Sequence, residues 1–159
     1  MNIANLKELL DSFAKFFDGL TGEHISINKS EKVDIAKFPY EIDENHNKLN
    51  GFQSGLYAFQ AKDSEEMLYI GEAKDIIQRI YRHIGPGFTW AINGAACYFP
   101  NFGLTQWEGH KDYKETFESG NVYVTAFSVD PPEARNMLES FIIYAGFVKY
   151  GKLRLNIKF

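Results

Sequence analysis

The residues able to carry chemistry lie in separate parts of the chain, and together they suit cleavage of a phosphodiester. That reaction needs a water deprotonated, charge neutralised on pentacoordinate phosphorus and a leaving oxygen stabilised, commonly by a divalent ion. Arg79 and His83 stand four residues apart in a stretch of helical periodicity. Their side chains therefore lie over one another beside its apolar stripe, where a guanidinium can be held by the core and face a phosphate. With Arg82 they would equally make a plain solvated basic face. Glu139 falls mid-helix among Leu138, Ile142 and Ile143. An acid so placed is half-buried and needs a partner or a metal; Arg135, one turn earlier, offers an ion pair as the structural option. One carboxylate is enough for Mg²⁺, which keeps several waters. Zinc is disfavoured, because His24, His46, His83 and His110 show no close pairing and Cys97 is the one cysteine. Tyr57 and Tyr69 take comparable places on two strand-like runs, flanked by Gly55 and Gly71, which admit a close backbone or phosphate. Strands favour tyrosine in any case. Asn156 sits on the polar side of an apolar tail.

The elements that must position these groups follow from hydrophobic periodicity. Leu6, Leu9, Leu10, Phe13, Phe16, Phe17 and Leu20 recur at three- and four-residue steps, which predicts an amphipathic helix over 3–20 stopped by Thr21-Gly22. It would dock on its own domain or serve as a dimer interface. Residues 23–50 are polar and turn-rich, with one short strand expected at His24–Ile27. Ser54–Gln60 and Met67–Gly71 read as a hairpin across a polar turn. A helix follows from Asp75 to Ile84. Residues 85–120 form an aromatic insert, suited to a lid, a base-stacking surface or extra core. Asn121–Val129 alternates as a third strand. Asp130-Pro131-Pro132-Glu133 then reads as a helix start with a capping aspartate, and the helix runs to about Val148. The fold class expected is α+β: a small three-stranded antiparallel sheet flanked by helices, with an N-terminal helical extension. Residues 1–50 would be helix and connector, and 51–159 the catalytic domain.

Bulk properties narrow the field. A chain of 159 residues with 45% hydrophobic content can bury a core without disulfides. No stretch approaches the apolar length of a membrane span, and the N-terminus lacks the pattern of a signal peptide, so a cytoplasmic location is expected. The net charge of −4 argues against strong nonspecific nucleic-acid binding. Its distribution moderates that objection. Residues 1–50 hold six lysines against nine acids, whereas Arg135, Lys149, Lys152, Arg154 and Lys158 face Glu139 as the single acid from position 135 onward.

Gly55-Leu56-Tyr57, Tyr69-Ile70-Gly71, Arg79, Glu139 and Leu155-Asn156, in that order, resemble the GIY-YIG nuclease family. The run Tyr69–His83 is most similar to phage homing endonucleases of that family. The resemblance implies the GIY-YIG fold and a DNA endonuclease using Mg²⁺ or Mn²⁺. It implies Tyr57 as general base or proton relay, Tyr69 positioning water or phosphate, Arg79 stabilising transition-state charge and Glu139 binding the metal. His83 and Lys74 would assist, and Asn156 would hold the architecture near the site. A phenol of ordinary pKa about 10 is a poor base, so Arg79, Lys74 or the metal would have to lower it. Arg82, Arg135, Lys152 and Arg154 are candidate DNA contacts, and the N-terminal helix is a candidate homodimer interface. The alternative is a catalytically silent member of the fold that binds nucleic acid or protein, which the acidic charge and the lack of an appended DNA-binding module favour.

Overall fold

Helix α1 (Ile3–Thr21) starts with a reciprocal cap: the Asn5 amide donates to the Asn2 side chain and the Asn2 amide to the Asn5 side chain, both at 3.0 Å. It stops at Gly22, whose φ of 71° a side chain would resist. The computed structural model describes residues 1–35, 44, 47–84 and 120–151, with nothing assigned to the side chains of 81–84. The aromatic insert, Cys97 and the tail carrying Asn156, Lys152 and Arg154 lie outside the described residues.

After α1 come β1 (Ser26–Lys29), β2 (Val33–Asp34), β3 (Gly55–Ala61), β4 (Met67–Ala73), α2 (Ile76–Ile84), β5 (Val122–Asp130) and α3 (Ala134–Tyr150). The strands form one open antiparallel sheet in the order β1-β5-β3-β4, with β2 also on β5. The α+β class therefore stands, while the expected three strands are five among the described residues. Of the two strands beyond the hairpin and β5, β1 answers to the short strand expected at His24–Ile27, and β2 is a two-residue edge strand that leaves little periodic signal. The first begins later than His24. Between them the chain turns at buried Ser30, whose hydroxyl accepts the Ala126 amide at 2.9 Å and keeps that rung of the ladder occupied.

The sheet is covered on both faces. Tyr57, Phe59, Val122, Val124 and Ala126 meet Ile76 and Ile80 of α2 on one. Leu56, Ala58, Ile70, Phe127 and Val129 meet α1 and α3 on the other. Being sandwiched explains why β3 is buried at every position. The apolar stripe of α1 is used within this core, with Leu6, Leu9, Leu10, Phe13 and Phe17 buried. Phe13 packs on Phe141 of α3 at 5.3 Å between ring centroids. Among the described residues no helix is long and apolar enough to cross a membrane.

One local expectation is corrected. Asp130 does not cap α3. It remains in β5 opposite Ser26, and the helix begins after Glu133 without a side-chain cap. Pairing with Ser26 carries the strand through Asp130, which leaves the aspartate three residues short of the cap position, and the approach to the helix is closed by Ala134 and Arg135 amides donating to the carbonyls of Pro131 and Pro132.

Phe13 sits at the seam between α1 and α3 with no exposure. Phe13→Ala is expected to cost roughly 3–5 kcal/mol, read as a lowered urea midpoint at unchanged slope. A loss below about 1 kcal/mol would mean that α1 is not part of the cooperative core.

Candidate functional site

Tyr57 lies in the central strand directly opposite Gly71, and Phe59 lies opposite Tyr69. The two tyrosines are thus diagonal neighbours on the α2 face, with ring centroids 5.9 Å apart. Gly71 is needed for this arrangement. A Cβ there would come within 2.5 Å of the Tyr57 hydroxyl and 2.8 Å of the Tyr69 ring. Gly55 has a separate reason, its φ of 150° and the Phe127 carbonyl pressed against it.

A phenol buried this fully needs a polar partner. Arg79 on the second turn of α2 supplies one, its Nε donating to the Tyr57 hydroxyl at 3.3 Å. Tyr69 joins by side-chain hydrogen bonds to both. Helix α2 is held in register by Asp75, whose carboxylate accepts the Gln78 amide at 2.8 Å. The result is a Tyr57–Tyr69–Arg79 cluster assembled from three elements. Burial pushes the Tyr57 phenol well above its ordinary value, with Tyr69 adding to the effect and Arg79 only partly opposing it. That is the opposite of what a proton acceptor requires. The phenol in turn raises Arg79, keeping it charged.

Arg79 also lines an open cleft of about 380 Å³ at the end of β4, with Glu72, Ala73, Lys74, Asp75 and Gln78. Lys74 thus shares this cleft with Arg79. Glu139 approaches from the other side of the sheet. Half-buried on α3, it accepts the Glu72 amide at 3.0 Å. Arg135 reaches the Glu72 carboxylate at 3.8 Å and the Pro132 carbonyl at 2.8 Å. Since β4 is an edge strand, groups from both faces can gather around its end. Tyr57, Tyr69 and Arg79 are brought together on one face; Glu139 and Arg135 belong to the helix on the other and connect to the same cleft through Glu72. The side chains of Arg82 and His83 lie outside the described residues.

Sequence reasoning passed over Glu72. Its signal was the alternation along β4: Ile70 points toward α3, so residue 72 does too. Among the described residues no three His, Cys, Asp or Glu side chains gather as a metal cage. Comparison with family models, curated proteins and solved structures returned no match.

Two outcomes follow. Gly71→Ala should lower the melting temperature by the equivalent of roughly 1–3 kcal/mol; an unchanged melting temperature would mean the ring does not lie against residue 71. In an alkaline titration of phenolate absorbance, one of the nine tyrosines should stay protonated beyond pH 10 until the protein unfolds. Tyr57→Phe should remove that component. The folded-state pKa is raised above the ordinary 10.0, so the associated stability is present below pH 10 and lost as pH rises above it.

Proposed function

We propose that this chain is a divalent-metal-dependent DNA endonuclease with a GIY-YIG fold. The observation that carries the reading is the Tyr57–Tyr69–Arg79 cluster at a cleft holding Lys74, since these residues come from separate elements and are the ones the resemblance selects. Arg79 and Lys74 give the cleft the positive charge a scissile phosphate needs. Tyr57, kept protonated by burial, is best suited to orient Arg79 rather than to take a proton, and the less buried Tyr69 is the phenol suited to meet water or phosphate.

The carboxylate of Glu139 offers oxygen donors alone, which fits Mg²⁺ or Mn²⁺ and not zinc. Glu139 would hold the ion with water and substrate completing its shell. Bound there, the ion would supply Lewis-acid stabilisation of the leaving oxygen. A cytoplasmic setting belongs to the same reading. So does a homodimer through α1, because one centre cuts one strand and Phe16 and Leu20 remain 49% and 63% exposed. Sedimentation velocity checks it; a monomer that makes double-strand breaks removes the need for it.

The silent binding module is kept as a second reading because the Tyr57 phenol is shifted away from base function. Nicking of supercoiled plasmid and branched DNA with Mg²⁺ or Mn²⁺ separates the two. For the enzyme, wild type nicks, Arg79→Ala loses about 10²–10³-fold, and Glu139→Gln, which keeps an acceptor for the Glu72 amide, loses activity without unfolding. Variants that nick at the wild-type rate sink the assignment. A folded wild type that binds DNA and never nicks establishes the silent module.

A further inference from the structure

On the side of the sheet away from β4, α1 overhangs the edge at β1 and leaves a groove of about 520 Å³. Its floor is apolar, formed by Leu10, Ile25, Ile27 and Phe127, and small Ala4 and Ala14 keep the helix wall shallow. Lys7 on α1 and Lys29 on β1 stand on its walls with Asp11, and neither lysine has a carboxylate partner among the described residues.

The backbone adds an independent observation. The Ser30 amide donates to the Ala126 carbonyl at 2.9 Å. In an antiparallel ladder bonded and non-bonded pairs alternate. The bonded pairs are therefore Asn28 with Ser128 and Ser26 with Asp130, while Ile27 opposite Val129 and Lys29 opposite Phe127 are non-bonded. The N–H and C=O of Ile27 and Lys29 consequently point outward from the sheet edge. Among the described residues β1 has no further strand on that side, so the residues whose side chains line the groove are the ones offering a template for another strand.

We propose that this groove binds an extended peptide as an added strand beside β1, with apolar side chains under α1 and an acidic one between Lys7 and Lys29. Main-chain bonds to Ile27 and Lys29 would supply affinity, and the apolar floor with its lysines would supply selectivity. Charge sets the class of occupant, since two lysines without a carboxylate partner among the described residues, against one acid in the lining, favour an anionic segment. The site is remote from the Arg79 cleft and does not depend on its chemistry.

The test uses the ¹⁵N-labelled full chain and a capped hexapeptide carrying valine, valine and glutamate at alternate positions with threonine between. Saturating peptide should slow amide exchange at Ile27 and Lys29 at least tenfold. The same peptide N-methylated along its bonding edge should not bind. Lys7→Glu with Lys29→Glu, both exposed positions, should weaken binding at least tenfold at an unchanged melting temperature. No shift of the Ile27 and Lys29 signals at millimolar peptide would overturn the proposal and leave a short lysine-bearing strand that merely discourages aggregation. Sodium decanoate binding more tightly than the peptide, without slowing those amides, would also overturn it in favour of an acyl ligand. The exchange measurement on wild type decides the matter even if the double variant fails to fold.

Discussion

The hydroxyl of Tyr57 is a polar group at the centre of an apolar layer, and the surrounding structure answers to it. A buried phenol without a partner costs on the order of 1–3 kcal/mol, so an element on that face must bring a donor. Helix α2 brings Arg79. The ring needs room, so the facing strand carries Gly71 where any Cβ would collide. Tyr69 then has one diagonal place to occupy. The four positions are not four independent features. They are one packing solution read from different strands, and that solution places a charged guanidinium at the mouth of a cleft.

This explains how the sequence was legible and where it was not. Periodicity located α1, the β3–β4 hairpin, α2, β5 and α3 to within a few residues, because each has an apolar face to bury. It said little about β1 and β2, where Ser26, Asn28 and Asp34 mix with single apolar residues and pairing depends on a partner nearly a hundred positions away. The Asp130 cap was a sound local inference defeated by the place where the helix begins, since β5 runs on through Asp130 and Glu133, three residues later, takes the cap position. Of the candidate site, Tyr57, Tyr69, Arg79 and Lys74 were readable as positions but not as one cluster. Glu72 was legible only as a position facing α3 through the pleat of β4; its partner Arg135 lies on a distant helix and could not be read from spacing.

Edges matter more than faces here. Both faces of the sheet are covered among the described residues, so charged groups gather chiefly around its ends and margins. At β4 an arginine from one layer and a carboxylate from the other reach the same rim, which gives an asymmetric electrostatic site without any charge crossing the core. At β1 the margin is apolar with a basic border. The two margins are separated by β3 and β5, and each carries its own chemistry.

The pairing of α1 with α3 bears on synthesis. Glu8 accepts hydrogen bonds from Lys149 and Tyr150, 141 residues later along the chain to the lysine, and Phe13 meets Phe141. Part of the apolar stripe of α1 packs on Leu56, Ala58 and Ile70 of β3 and β4, but the contact of Phe13 with Phe141 waits until α3 has been made. Closure of the seam between α1 and α3 is therefore a long-range event in folding.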